Sequence, residues 1–291
     1  MNLSAFEELL KSANYPQEAV QSLTKDYRAL LEDPSCRALL EESLDCFKKG
    51  RPFSFYEQSQ RLVTAAKDGT SVHPYAAEIL FYLHLAPVLK ENYQKDGIPD
   101  RYFDGFMAGV LCKLYECHKM YRIWGSFVAC WFSRFFARSL YAIGRFECCL
   151  MPCPADFSSN EKSILKGQPV IDVHIPSRGP LEEQEMEDSY KEAAAFFASK
   201  LQGPPAFHCE SWLLADFHSE MLPEASGIRR FASRYTLLEK TPDEGDFWRI
   251  FYLDDDTPVH LLPENTTLQK EYKKRLAEGL PLYGGRGIFF L

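Results

Sequence analysis

The chain from Pro169 to Leu201, PVIDVHIPSRGPLEEQEMEDSYKEAAAFFASKL, reads as a strand, a tight turn and a helix. Ile171, Val173 and Ile175 fall on one face and Val170, Asp172 and His174 on the other, the period of a strand with one apolar face. Pro176 ends the ladder because it has no N–H to donate. Ser177, Arg178, Gly179 and Pro180 make the turn. Met186, Tyr190, Ala193, Ala194, Phe197 and Leu201 then recur at helical spacing, so the helix packs by that stripe. Free backbone N–H groups and the positive end of a helix dipole meet at one point here, which suits an anion such as a phosphate. The same residues also fit an ordinary strand-to-helix connection, since a single Gly is a weak phosphate motif.

On the N-terminal side of this unit the pattern is helical as far as Leu140, with Pro and Gly marking the breaks. A helix follows Pro16 over Gln17–Glu32, Asp33-Pro34 opens the next, and Ser54 with Glu57 forms a capping box. His73-Pro74 opens a longer helix that Pro87 is expected to kink or break near Leu83. Phe103, Phe106, Met107, Val110, Leu111, Leu114, Cys117, His118 and Tyr121 share one side of a core helix. An aromatic helix carrying Phe127, Trp131, Phe132, Phe135 and Phe136 follows, as core or as the lining of an apolar pocket.

After Leu140 the period changes to alternating, which places a domain boundary there: residues 1–140 as an all-α domain and 141–291 as a mixed α/β domain. Residues 143–148 read as one strand, 152–168 as a loop, and 206–213 as a second strand with His208, Glu210 and Trp212 on one face. A short helix covers 215–221. Residues 228–239 and 247–253 read as strands joined by the turn TPDEGD, hence a hairpin. A helix over 267–278 and a Gly-hinged strand over 283–291 close the chain.

Of 291 residues 46% are hydrophobic, ample for packed cores. The formal charge of −8 lies wholly in the second half: residues 1–140 hold 17 basic against 17 acidic side chains, and the rest hold 16 against 24. Such a chain has no footprint for nucleic acid or an anionic membrane and favours a cationic partner. The N-terminus lacks the basic and apolar regions of a signal, and the longest uncharged apolar run, Ile123–Ser133, is too short to span a bilayer, so a cytoplasmic location is expected. Nine cysteines without disulfide spacing read as reduced thiols. Cys148, Cys149 and Cys153 form a cluster that would need His174 or His118 to hold zinc, with no second CxxC pair to support it; no metal is expected.

Strand, turn, helix, strand, short helix and further strands is the order of the GNAT superfamily of N-acyltransferases. The stretches VHIPSRGPL, FHCESWLL, IRRFASRY, LPENTTLQ and GGRGIFFL together resemble a family of bacterial acyltransferase-domain proteins. That family pairs a helical N-terminal domain with a GNAT-like C-terminal domain built on a twisted, mostly antiparallel sheet. The resemblance implies acetyl-CoA or another acyl-CoA as co-substrate and leaves the acceptor open. It also implies that Val170–Ile175 is the bulged strand, that an N–H between Val173 and Ile175 meets the thioester carbonyl, and that Ser177, Arg178, Gly179 and Leu181 hold the diphosphate. The sequence departs from the superfamily's R/Q-x-x-G-x-G/A loop: it offers one Gly, and Pro180 withholds an N–H. Glu182, Glu183, Glu185, Glu187 and Asp188 also crowd the helix start, where they would repel a polyanion, with Arg178 the local offset unless Arg229, Arg230 or Lys273 folds nearby.

Acyl transfer to an amine by direct attack needs a base for the ammonium, an oxyanion site and an acid for the leaving thiolate. Glu210 or His208 is the expected base, with His174 close to the thioester and Tyr252 as a thiolate proton donor on its place in the fold. Cys209 alternates into an apolar neighbourhood and reads as a buried thiol rather than a nucleophile. Two other classes remain open on the sequence: a GNAT-derived binding or regulatory module without turnover, and a small-molecule or acyl-chain binding protein that uses the aromatic helical half.

Overall fold

The computed structural model describes residues 1–242 and 247–291, and the chain divides into two compact units, Met1–Tyr141 and Ala142–Leu291. The first is all-helical: α1 Leu3–Ser12, α2 Gln17–Glu32, α3 Pro34–Lys48, α4 Phe55–Gly69, α5 Pro74–Lys95 and α6 Asp100–Tyr121 precede a 3-10 turn at Ala129–Phe132 and the short α7 Ser133–Phe136. Side-chain caps begin α3, α4 and α5 as their sequences dictate. Asp33 accepts from Cys36 N at 2.8 Å, Ser54 from Glu57 N at 3.2 Å and His73 Nδ1 from Tyr75 N at 3.1 Å.

Helix α5 is the centre of this unit, buried on nearly every side from Ala76 to Leu89. Of the kink or break expected near Leu83, the break does not occur: the helix is continuous through Pro87. Burial of the residues on both sides of the proline outweighs the one hydrogen bond that its missing N–H removes. The aromatic helix expected over 127–136 is two short pieces instead. Phe132, Phe135 and Phe136 pack around Phe106 with ring centroids 5.2–5.8 Å apart, so tertiary packing rather than helical period sets that segment. His118, half-buried, stacks on Trp124 at 4.2 Å.

The second unit is a mixed sheet with helices. Its elements are β1 Tyr141–Ile143, β2 Phe146–Pro152, β3 Phe157–Ser159, β4 Lys162–Ile164, β5 Pro169–His174, α8 Glu183–Phe197, β6 Ala206–Ser211, α9 His218–Met221, α10 Gly227–Ser233, β7 Thr236–Pro242, α11 Phe247–Phe251, α12 Thr267–Ala277 and β8 Tyr283–Phe290. Six strands form one sheet in the order β1-β2-β5-β6-β8-β7, and β3 pairs with β4. The β2–β5, β6–β8 and β7–β8 pairs are antiparallel and β5–β6 is parallel.

Register assigns the two faces of the sheet. Leu150, Ile171, Phe207 and Phe289 stand side by side across four strands, and Tyr190 of α8 covers that row, 4.9 Å from Phe207 and 5.0 Å from Phe289. Met186, Tyr190, Ala193, Ala194 and Phe197 are the buried stripe of α8, as its spacing requires. The next row, Cys149, Asp172, His208 and Ile288, therefore projects from the opposite face.

Four segments fold differently from their sequence pattern. The strand expected over 143–148 is interrupted by a turn at Gly144 (φ +57°) and Arg145, because a glycine in the left-handed region bends the chain where alternation alone shows no break. The loop expected over 152–168 contains the β3–β4 hairpin, turned by Asn160 and Glu161 in left-handed conformations. The strand expected over 228–239 is α10 followed by β7, because the segment buries Phe231 as a helix. The strand expected over 247–253 is α11, which buries Phe247, Ile250 and Phe251 at helical spacing. β7 pairs with β8 rather than forming the expected hairpin, and Asp243–Asp246 of the TPDEGD turn lie outside the described residues.

Candidate active site

Strands β5 and β6 are paired only at Ile171–Phe207 and Asp172–His208, although β5 continues to His174 and β6 to Ser211. Beyond Asp172 they part. β6 stays paired with β8 as far as Ser211, whereas β5 leaves the sheet after His174 ahead of Pro176. The result is a gap between two parallel strands opened without a bulge in β5, whose six-residue register with β2 is regular from Pro169 to His174. The expected bulge is thus absent from that pairing, since divergence on the β6 side opens the gap without an inserted residue. Successive N–H groups of a strand point to opposite neighbours, so one of Val173 and His174 directs its N–H toward the gap. Ile175 lies just past the strand end.

Asp172 sits where the strands part and is 9% exposed. Its Oδ1 is 2.7 Å from Nδ1 of His208 and its Oδ2 is 3.0 Å from Nε2 of His174. Burial disfavours the Asp172 charge, but the hydrogen bonds from the two imidazoles outweigh it and hold the carboxyl well below its ordinary range. An ionised carboxylate only accepts, so His208 must donate through Nδ1–H, and in the neutral ring Nε2 then carries the free lone pair. His208 is 3% exposed, and its Nε2 is buried without a hydrogen-bond partner. Eight other buried side-chain atoms among the described residues are open in the same way, His84 Nε2 among them; His208 differs in standing beside an ionised carboxylate where the two strands part.

Arg286 of β8 donates through Nε and Nη2 to Oε2 of Glu210, two residues along β6, at 2.8 and 2.7 Å, and also pairs with Glu239 of β7. The structure therefore gathers Asp172, His174 and His208 and sets Glu210 in a separate ion-paired row. Tyr252 lies after α11 rather than on a strand, half-buried, with φ +56°. Cys209 faces the helix side, and burial pushes its thiol well up, as for an inert core cysteine. Ligand atoms of Cys149, Asp172 and His174 lie within 4.8 Å of one another, a donor set whose Asp172 oxygens already serve the two imidazoles.

The turn after β5 is held from outside. Arg145, 6% exposed, donates Nη1 to Pro176 O at 2.7 Å, Nη2 to Gly179 O at 3.0 Å and Nε to Pro180 O at 3.3 Å. Arg178 donates back to Gly144 O, so the two arginines link the turn before β2 with the turn after β5. Gly179 takes φ +83°, Ser177 is exposed and Leu181 is buried. Arg230 pairs with Glu183 at 3.3 Å, and Arg234 pairs with Glu183 and Glu187, so α10 offsets part of the acidic crowd at the start of α8. Arg229 instead donates to Leu222 O and Lys273 pairs with Glu264. Sequence reasoning missed Arg145 because alternation put it on a strand, and missed Arg234 because its helix read as a strand.

With this geometry in place, comparison with known proteins gives a consistent answer. Residues 140–289 match the GNAT-like C-terminal domain and residues 4–137 match the N-acyltransferase N-terminal domain. The chain belongs to this family of N-acyltransferases with a helical N-terminal domain and a GNAT-like C-terminal domain. A comparison with curated protein sequences returned no significant match. Among solved structures, an acyltransferase in complex with decanoyl-CoA is similar at TM-score 0.74 and 22% identity, over 98% of this chain and 86% of that one. An acyltransferase in complex with decanoyl-CoA and teicoplanin is similar at TM-score 0.73 and 19% identity, over 98% and 87%. An acyltransferase mutant in complex with octanoyl-CoA is similar at TM-score 0.71 and 18% identity, over 99% and 88%. Among the described residues no helix is long and apolar enough to cross a membrane.

Proposed function

We propose that this protein is an acyl-CoA-dependent acyltransferase that uses His208 as the general base, with Asp172 fixing its tautomer. The observation that carries the reading is the buried, unpartnered Nε2 of His208 at the point where β5 and β6 part. The fold is that of solved acyltransferases whose structures contain decanoyl-CoA or octanoyl-CoA, which supports an acyl-CoA as donor. The residues present fit such a donor. The gap beyond Asp172 takes the pantetheine arm, an N–H of Val173, His174 or Ile175 meets the thioester carbonyl, and the turn Ser177–Leu181 with the start of α8 takes the diphosphate. The donor, when bound, supplies an activated acyl group and a thiolate leaving group. His208 takes a proton from the acceptor at Nε2, and the imidazolium so formed has a proton to return to the thiolate.

The acceptor is read as a small molecule bearing an amine, since the acidic second half favours a cation and since one relative was solved with teicoplanin. Glu210 is not the base in this reading, because Arg286 grips its Oε2 through Nε and Nη2 and holds it in a row apart from Asp172, His174 and His208. The test is calorimetry and thermal shift against coenzyme A, acetyl-CoA and octanoyl-CoA, followed by thiol release with a panel of primary amines. Binding must raise the unfolding midpoint at ligand well above its dissociation constant. No binding of any of the three at millimolar ligand would refute the reading and leave a non-catalytic module.

A further inference from the structure

We infer that Arg145 is a positioning residue that aims the turn after β5 at the diphosphate of the acyl donor; this rests on the acyl-CoA reading above. The turn has little of its own to hold it. Pro176 and Pro180 have no N–H, and within it the one backbone hydrogen bond among the described residues runs from Arg178 N to Pro176 O at 2.8 Å. Arg145 supplies what is missing by donating to three carbonyls, those of Pro176, Gly179 and Pro180. It is itself fixed by the turn at Gly144, whose left-handed φ of +57° brings Arg145 N to Ser189 Oγ at 2.7 Å on α8.

The consequence follows from peptide planarity. In a trans peptide the C=O of one residue and the N–H of the next point in opposite directions. With the carbonyls of Pro176 and Pro180 drawn to Arg145, the N–H groups of Ser177 and Leu181 are turned away from it. Neither N–H has a hydrogen-bond partner among the described residues. The turn thus keeps two unpartnered N–H groups directed away from a buried guanidinium, donors that can serve a polyanion where the superfamily uses extra glycines. The single glycine and Pro180 cease to be a deficit: Pro180 withholds one N–H and stiffens the turn that aims the other two. Part of the repulsion from the α8 carboxylates is removed separately by Arg230 and Arg234.

The test compares two ligands that share the acyl-pantetheine arm, octanoyl-CoA and S-octanoyl-pantetheine, by calorimetry on the full chain. Arg145→Gln is expected to weaken octanoyl-CoA binding by about tenfold or more, since it removes charge-assisted hydrogen bonds. Binding of S-octanoyl-pantetheine, which lacks the diphosphate, stays within about twofold. Arg145→Lys, which keeps the charge but cannot span three carbonyls, falls between. A structural role alone would weaken both ligands together, and that outcome overturns the inference, as does unchanged octanoyl-CoA binding in Arg145→Gln. Should the variants fail to fold, amide hydrogen exchange on the wild-type chain decides the matter. Ser177 and Leu181 are to gain protection with octanoyl-CoA and not with S-octanoyl-pantetheine; no such difference overturns the inference. If the wild-type chain binds neither ligand, the acyl-CoA reading itself is refuted.

Discussion

Two buried histidines stand ten residues apart in the C-terminal unit, and their surroundings assign them opposite roles. His218, 1% exposed at the start of α9, has both ring nitrogens occupied: Nε2 is 2.7 Å from the Tyr272 hydroxyl and Nδ1 is 3.3 Å from the Leu213 carbonyl. Trp212, Phe217 and Tyr272 enclose it. Burial, with Arg275 adding to it and the Leu213 carbonyl opposing, lowers its pKa to about 4, so it stays neutral and serves packing. His208 is equally buried, but one nitrogen meets an ionised carboxylate and the other meets nothing. A ring satisfied by neutral groups on both sides is a strut. A ring oriented by a carboxylate with an open lone pair beside a gap in the sheet is equipped to accept a proton.

The largest expected effect tests that contrast directly. His208→Gln is expected to lower turnover by about a thousandfold, within the span of a lost general base. Asp172→Asn, which frees His208 to take the wrong tautomer, is expected to cost about a hundredfold or more. His218→Gln should leave the turnover of the folded fraction within about threefold while lowering the thermal midpoint. Steady-state thiol release, paired with thermal unfolding of each variant, reads both quantities. If His218→Gln and His208→Gln lose turnover alike, burial alone would account for both, and the assignment of the base fails.

How much of this contrast can be read from the sequence depends on which interactions define it. The period of Val170–His174 and the stripe of α8 are local, and they set the strand, the turn and the helix in their observed order. Local pattern also put Asp172 and His174 on one face and His208 and Glu210 on one face. The parallel register that joins Asp172 to His208, and the antiparallel one that gives Glu210 to Arg286 some 76 residues later, are long-range and have no local signature. Where local and tertiary preferences conflict, as at Gly144-Arg145, at 228–239 and at 247–253, alternation was a coincidence of composition and the buried aromatic or glycine prevailed. The arginines that hold the turn after β5 and the start of α8, Arg145, Arg230 and Arg234, come from those misread segments.

A second expectation uses acid. A histidine whose folded pKa is about 4 against roughly 6.5 unfolded favours the native state fully above pH 6.5 and loses that contribution as pH falls toward 4, because the unfolded chain binds the proton first. For His218 this amounts to roughly 3 kcal/mol over that interval. The depressed carboxyl of Asp172 behaves as an acid held ionised, so its contribution is complete above its unfolded value near 4 and fades only below it. Denaturant unfolding at pH 7, 6, 5 and 4 separates them. His218→Gln is expected to remove its own share of the decline between pH 6.5 and 4 and to leave the share of His84, whose burial lowers its pKa to about 3. An unflattened decline in His218→Gln would show that another buried group governs it.

The smallest expected effect bears on Glu210, the other base considered from the sequence. Both contacts, at 2.8 and 2.7 Å, fall on Oε2 of Glu210, so the guanidinium of Arg286 grips that oxygen and holds the side chain toward β8. The pair is part-exposed, at 33% for Glu210 and 30% for Arg286, so water screens it and its contribution to stability is at most about 1 kcal/mol. Glu210→Gln is therefore expected to change turnover by less than about threefold and the unfolding free energy by less than about 1 kcal/mol. A loss of a hundredfold or more in turnover, with folding intact, would reverse the assignment. It would mean that Arg286 releases Glu210 when substrate binds, and that His208 is held open by Asp172 for orientation rather than for the proton.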